Sequence, residues 1–568
     1  MCTGIHCLTK MEPEQTLRFA LQFDPLTSAV PENHGWLGYV VLAFVLFNFV
    51  DFGIQTVVYF RVFIHFIRYK EAVGFQLVVS TLFIIVRLIT GYLILLLIPP
   101  KLIWDLDFSH AIPSTLLVIL CYGGVGIFLL FSLMSCLACL RLLLRGDVKA
   151  IRTPSNMEDK TSADSLPTVI ILMPVYNEEP SALIAAVDSV VVCDYPQIKK
   201  HFFISFDDPS ESELFRILAK HLSNEGVEIF LGKDSAEYVV NGVRITVNRF
   251  EHSGKRDTQA KSYEIIDRLY EKDDSARILF IDSDIVLHPN AIHNFIARNT
   301  VATTGLITCR TSQDFNLLQC LQDAEYLNDQ VFIRSTEVLL GAATCLPGAL
   351  TMTNMKTLRE VAPTYFQTVD MEESIDYHRL HLGEDRYLTY LLLQRASEDE
   401  RVGFQASAQC KTEAPSSFIS LLKQRRRWFM VTCTNDIAML LSYDIWIRIP
   451  GVMLFKFFSY GTAGVSLLTW AVCCIYVVAM GNPNIFFSNL FFFIAIGVFS
   501  FRFALNTTAA LQLRRRKVVL FSIVFAFFNP IFVALVVGYS VWTWNVRSWG
   551  GPRSDSEQDE KSVGVDIV

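Results

Sequence analysis

Three polar clusters carry the chemistry of this sequence: Asp282-Ser283-Asp284, Gly383-Glu384-Asp385-Arg386 and Gln424-Arg425-Arg426-Arg427-Trp428. Asp282 and Asp284, two residues apart, can hold a hard divalent cation such as Mg2+ or Mn2+ through oxygen ligands. Asp385 or Glu384 can take a proton from an attacking hydroxyl. Guanidiniums grip a diphosphate in bidentate fashion, and an indole stacks on a sugar ring. Together these are the parts that transfer from a nucleotide-activated sugar requires. Each cluster also has a plainer reading: the aspartates as a solvated strand end, the glutamate and aspartate as helix-start acids, and Arg425 and Arg426 as contacts to lipid headgroups. Arg427 and Trp428 are the stronger candidates as ligands for diphosphate and sugar.

The elements around these clusters decide where they sit. Arg277–Ile281 is a short apolar run that ends at Asp282. Pro167–Met173 is another, running out into Pro174-Val175-Tyr176-Asn177-Glu178-Glu179, where Tyr176 is a candidate nucleotide contact. Phe202–Phe206 ends in Asp207-Asp208. Between such runs, Ser181–Val192 and Ser210–Ser223 have helical periodicity, which predicts alternating strands and helices with a parallel sheet. Open α/β sheets bind ligands at the C-terminal ends of their strands, where these polar residues fall. Gly254-Lys255-Arg256-Asp257 adds two cations beside a glycine, suited to a diphosphate or to a solvated helix start. Glu384-Asp385 opens a helical pattern over Tyr387–Gln394.

The polar middle lies between greasy ends. The 568 residues are 52% hydrophobic and 18% charged, too apolar for an ordinary soluble protein. A net charge of -7 gives no basic surface, so nucleic acid is not an expected partner. Thirteen cysteines lack zinc spacing, and the Cys136/Cys139 pair lies in an apolar run, where buried thiols are expected. No cleaved signal peptide is indicated at the N-terminus. Apolar segments at Trp36–Phe60, Val73–Pro99 and Pro113–Leu144 each reach the ~20 residues of a membrane helix. Further ones follow at Val452–Met480, Ile485–Leu505 and Val518–Trp544. Arg61, Arg68 and Lys70, then Arg141, Arg145, Lys149 and Arg152, place the region after residue 145 in the cytoplasm by the positive-inside rule. Ser416–Leu441, which carries the arginines, has the amphipathic character of a helix along a membrane face.

As a set, these residues resemble the membrane-embedded processive β-glycosyltransferases of family 2, and among them the chitin synthases. Gly254–Gln259 is similar to GKRDSQ, Cys345-Leu346-Pro347-Gly348 to CLPGC, Gly383–Thr389 to GEDRYLT, Gln424–Trp428 to QRRRW and Ser548-Trp549-Gly550 to the start of SWGTR/K. The resemblance implies a GT-A-type α/β nucleotide-sugar transferase domain inserted between α-helical transmembrane segments. It implies that Asp207 or Asp208 contacts the uracil, that Lys255 and Arg256 lie by the nucleotide, and that Asp284, with Asp282, ligates Mg2+ or Mn2+. It makes Asp385, with Glu384, the base, and puts Gln424, Arg427 and Trp428 at the mouth where acceptor and diphosphate meet. Glu325-Tyr326 and Pro347-Gly348 border the acceptor in the same reading. Ala349, Phe429-Met430-Val431 and Gly551-Pro552 depart from the family pattern, all on the acceptor and channel side.

The expected organisation is a polar segment 1–35, three membrane helices in 36–145, a linker 146–165, a catalytic domain 166–400, interfacial helices 401–450, about three spanning or re-entrant helices in 451–546, and an acidic tail 547–568. The expected activity is inverting transfer of N-acetylglucosamine from UDP-N-acetylglucosamine to a β-1,4 chain that is exported. Partners are that donor, the nascent polysaccharide and membrane lipid, with homo-oligomer formation left open, and the expected location is the plasma membrane. A synthase of another β-glycan such as hyaluronan is the rival reading, with a non-enzymatic transporter behind it. Three spans after a cytoplasmic domain would put Trp549 outside, whereas a motif that closes the active site belongs inside. Either a re-entrant or interfacial segment, with Asn529-Pro530 a candidate break, or a different number of spans would remove that conflict.

Overall fold

The structure is a computed structural model that describes residues 35–68, 73–95, 114–148, 165–230, 234–297, 300–310, 315–367, 373–395, 401–461 and 486–547. By their contacts these residues divide into two units. One holds the N-terminal residues to Met134, Leu454–Phe503 and Pro530–Gly538. The other holds Ser135–Met453, Ala504–Asn529 and the residues from Tyr539 onward.

The first unit is helical and apolar. Gly35–Arg68 and Val73–Leu95 are single helices, and Ser114–Leu144 begins in this unit. Arg87 is a buried cation among them, held by polar and aromatic partners. It donates to the Phe52 carbonyl (2.7 Å), the Thr56 hydroxyl (2.7 Å) and the Tyr460 carbonyl (2.7 Å), and lies 3.6 Å over the Phe52 ring. A charge in an apolar bundle persists only when its donors are satisfied in this way.

The second unit is built on a ten-stranded sheet. Its strands are β1 (Val169–Val175), β2 (Lys200–Phe206), β3 (Gly226–Phe230), β4 (Ser235–Val240), β5 (Val243–Arg249), β6 (Arg277–Ile281), β7 (Val286–Leu287), β8 (Ala302–Arg310), β9 (Leu350–Asn354) and β10 (Val402–Glu413). Their order is β3-β4-β5-β2-β1-β6-β9-β8-β10-β7. β5, β2, β1 and β6 are mutually parallel, as the sequence predicts. The sheet as a whole is mixed, because β9 enters antiparallel between β6 and β8 and β4 pairs antiparallel with β5. Every residue of β1 and β2 is buried, as for parallel strands covered on both faces. Helix Pro180–Val191 starts on a proline at its first turn, and Ser212 caps helix Glu213–Glu225 by accepting from the Phe215 N–H. The core joins Val169, Ile171, Leu183, Val187, Phe202, Ile204 and Ile281. Cys136 and Cys139 are buried in a second core cluster.

Among the described residues three helices are long and apolar enough to cross a membrane: Gly38–Arg68, Gly74–Leu95 and Arg516–Trp542. The segment expected at Val452–Met480 begins as helix Pro450–Gly461, and its remainder lies outside the described residues. Of the segment expected at Ile485–Leu505, Phe486–Leu505 lies within helix Phe486–Gln512, and Ile485 lies outside the described residues. The candidate break at Asn529-Pro530 does not interrupt the chain: helix Arg516–Trp542 runs through Pro530.

Candidate active site

β1 is the point where the strand order reverses, since the chain passes from it to β2 on one side and later to β6 on the other. A crevice at the strand ends is expected there. The loop after β1 and the loop after β6 are tied together: Glu178 accepts from the Ser283 hydroxyl at 2.6 Å and from the Glu179 N–H at 2.8 Å. Asp207, after β2, is buried and accepts from the Ser253 N–H (2.9 Å) and the Gly254 N–H (3.0 Å), with His252 Nδ1 at 2.9 Å. It therefore fixes the loop that opens helix Lys255–Leu269, where Gly254 takes φ +95°, a value that favours glycine. Asp208 engages Ser210 through Oδ1 in a local turn. Tyr176, exposed, stacks on His252 at 4.6 Å. Nothing in the sequence pattern marked His252, and Glu178 was marked only as part of a strand end, since their partners come from other strand ends.

Lys255 is the centre of the site. Its ammonium donates to Asp282 Oδ1 at 2.7 Å and lies 3.0 Å from Glu384 Oε1, joining two clusters about a hundred residues apart in sequence. Burial works against this charge, but the two carboxylates more than offset it and hold the lysine pKa above its usual range. Glu384 is buried, and desolvation raises its pKa above the ordinary carboxylate value even though Lys255 pulls it down. Asp385, half-buried, accepts from the Arg386 N–H at 2.7 Å. Gly348 belongs here too, because a Cβ on it would stand 3.2 Å from Lys255 Nζ and 4.0 Å from Asp385 Cβ. Gly383 is required by packing, as its Cβ would meet Val431 Cγ1 at 2.5 Å. Asp284 Oδ2 accepts from the Thr412 hydroxyl (3.0 Å) and the Glu413 N–H (3.2 Å) on β10, which orients its carboxylate.

Among the described residues no three His, Cys, Asp or Glu side chains cluster as a complete metal site. Asp282 and Asp284 still fit a hard cation in kind, as oxygen donors on adjoining turns whose remaining ligands would come from diphosphate and water. Arg256, expected by the nucleotide, has protein partners. It is buried, and its guanidinium is spent on the Leu380 and Gln367 carbonyls.

The arginines lie on helix Phe418–Leu440, capped by Ser417. Arg425 and Arg426 are not lipid contacts, for both are buried against protein. Arg425 forms a two-pronged ion pair with Glu325 (3.0 and 2.7 Å) and lies 4.0 Å over the Trp428 ring, which stacks on Tyr326. Gln424 accepts from the Arg425 guanidinium. Arg426 donates to the Thr543 hydroxyl (2.7 Å) and carbonyl (2.8 Å) and to the Val546 carbonyl. Arg427 alone turns to the acidic centre. Burial lowers its pKa, and Glu384, Asp385 and Asp282 pull it back upward. Successive helical residues point about 100° apart, so three adjacent arginines reach three different surroundings. Ser548-Trp549-Gly550 lies outside the described residues.

The family profile described as chitin synthase matches residues 262–567. The chain belongs to the chitin synthase family. Chitin synthase D of Aspergillus fumigatus is 36% identical over 78% of this chain and 60% of that protein. Chitin synthase VI of Metarhizium acridum is 37% identical over 69% of this chain and 63% of its own length, and chitin synthase 7 of Verticillium dahliae 35% over 74% and 61%. The chain thus spans about three-fifths of the length of the relatives it matches.

Proposed function

We propose that this chain is a UDP-sugar-dependent hexosyltransferase that moves N-acetylglucosamine from UDP-N-acetylglucosamine onto the end of a β-1,4-linked chain. The observation that carries this reading is the convergence of Asp282, Lys255, Glu384, Asp385, Gly348 and Arg427 on one centre at the switch point of the sheet. Membership of the chitin synthase family supports the choice of sugar.

In this reading the acceptor hydroxyl oxygen attacks the anomeric carbon and its proton passes to the Asp385 carboxylate. The bond from that carbon to the diphosphate breaks with inversion, and UDP leaves with the electron pair. Arg427, desolvated and facing the acids, stabilises the charge that grows on the leaving diphosphate. Lys255 holds Asp282 and Glu384 in register. Trp428, stacked on Tyr326 beneath Arg425, offers an aromatic wall to an acceptor sugar. Asp284 and Asp282 would hold Mg2+ or Mn2+, which supplies neutralising charge to the diphosphate. Asp208, with one oxygen engaged by Ser210, is the better placed of its pair for the uracil, because Asp207 holds the Gly254 loop. The catalytic domain is cytoplasmic in a plasma-membrane protein, and the product is exported.

Purified protein given UDP-N-acetylglucosamine alone is expected to make a chitinase-sensitive polymer, to lose that activity with EDTA and to regain it with Mg2+ or Mn2+. A strict requirement for UDP-glucuronate as well would overturn the sugar assignment, and full activity in EDTA the metal.

A further inference from the structure

The α/β unit holds a cavity of about 240 Å³, well over the ~10–15 Å³ that one water needs. Three elements wall it. Ala138, Arg141, Leu142 and Arg145 recur at helical spacing and form one face at the end of helix Ser114–Leu144. Gly146, at φ +69°, then turns the chain back, with the Asp147 N–H on the Leu142 carbonyl (3.3 Å) and Val148 in the core. Val338 and Leu339 of helix Ser335–Leu340 make a second wall, and the chain entering β10 at Arg401 makes the third.

This cavity is separate from the acidic centre. Val402 and Phe404 border it at the start of β10, whereas Thr412 and Glu413 hold Asp284 at the other end of the strand. β10 is 12 residues long, which puts roughly 30 Å between the two places.

Its charge is unbalanced. Arg141, Arg145 and Arg401 border it, and all three are exposed. Among the described residues no carboxylate pairs with any of them, whereas Arg334, Arg386, Arg425 and Arg515 each rest on one. Against these three cations the described lining sets one acid, Asp147. Beneath them the floor is apolar, with Leu142 and Phe404 buried. Guanidinium forks hold phosphate oxygens in bidentate fashion, and an apolar floor favours hydrocarbon over water.

We propose that this cavity binds a phosphate-bearing ligand, with the phosphate on Arg141, Arg145 and Arg401 and an apolar part on the floor. A lipid headgroup and a free phosphorylated molecule carry the phosphate alike. The floor favours the lipid, and so do Leu137 and Leu144, exposed beside the arginines on the same helix, since mixed basic and apolar side chains are what meets phospholipid. The inference stands whichever sugar is transferred.

The test is native mass spectrometry of the full chain in neutral detergent. It is titrated with phosphatidic acid, with glycerol 3-phosphate, which has the phosphate alone, and with diacylglycerol, which has the apolar part alone. Phosphatidic acid is expected to bind at one saturable site. The double variant Arg141→Gln, Arg145→Gln, and separately Arg401→Gln, should weaken it about tenfold or more, the scale of one charge-assisted hydrogen bond. Arg216→Gln removes an exposed cation from helix Glu213–Glu225 and should bind like the parent. Leu339→Trp fills the cavity, leaves every arginine in place, and should weaken phosphatidic acid as the arginine variants do. Melting temperatures equal to the parent's show that binding was lost without the fold. Unchanged affinity in the arginine variants, an equal loss in Arg216→Gln, or diacylglycerol bound as tightly as phosphatidic acid overturns the proposal. Glycerol 3-phosphate bound as tightly as phosphatidic acid, and indifferent to Leu339→Trp, overturns the lipid source and gives the three arginines to a free phosphate.

Discussion

The loops at the strand ends and the helix Phe418–Leu440 supply the two halves of the site in opposite ways. At the strand ends, acidic side chains are held by backbone N–H groups that the sheet brings beside them: Asp207 by those of Ser253 and Gly254, Asp284 by that of Glu413. Such carboxylates are placed by the sheet itself, and their direction follows from where the strands stop. On the helix, three consecutive arginines meet three separate sets of side chains and carbonyls, Glu325 for one, Thr543 and Val546 for the next, and the acidic centre for the third. The lesson is that a run of like residues on a helix is three separate sites.

That contrast breaks if proton transfer and charge stabilisation are not confined to the residues facing the centre. Asp385→Asn is expected to leave UDP-sugar binding nearly intact and to slow transfer by about 10²–10⁴-fold; equal loss of binding and turnover would make Asp385 structural. Arg427→Ala should lower transfer about 10²–10³-fold, the scale of losing one preorganised donor, with thermal stability within about 1 kcal/mol of the parent. Wild-type activity in that variant would end the leaving-group role.

Arg425→Ala sharpens the comparison in the other direction. Removing it strands the Glu325 carboxylate beside Asp329, whose pKa burial already raises to about 6. We expect a stability loss of about 3–5 kcal/mol, the cost of breaking a buried ion pair. A melting temperature equal to that of Arg427→Ala would mean that the two arginines are interchangeable.

The smallest effect concerns His378, which burial holds at a pKa of about 4, with Arg426 and Arg547 adding to the depression and the Trp544 carbonyl opposing it. A depressed histidine pKa means that the unfolded chain binds the proton more readily. The contribution is complete above pH ~6.5 and lost as the pH falls towards 4, with about 1–2 kcal/mol gone by pH 5.5. His201, lowered to about 3 by burial, acts in the same sense, so the measurement is the difference in acid sensitivity between parent and His378→Asn. Identical slopes from pH 7 to 5 would remove His378 from the account.

Much of this arrangement was legible beforehand. The runs Pro167–Met173, Phe202–Phe206 and Arg277–Ile281 became β1, β2 and β6 within a few residues, because buried parallel strands are continuous apolar stretches with polar residues where they emerge. Asp282, Lys255, Glu384, Asp385, Gly348 and Arg427, which the sequence offers as separate clusters, come together in space. The antiparallel entry of β9 was not legible, since local pattern carries no strand direction. Neither was the burial of Arg256, Arg425 and Arg426, for an arginine reads the same whether carbonyls, a carboxylate or lipid receives it.

By itself, the sequence determined what depends on neighbours along the chain: apolar ends, a polar α/β middle, acids at strand ends and cations on a helix. Only the tertiary structure decided which charges meet, because an ion pair such as Lys255–Glu384 depends on distance in space between groups that the chain holds far apart. It also decided that Arg141, Arg145 and Arg401 border one cavity, since a cavity forms only where separate elements pack together, while length and hydropathy describe each element alone.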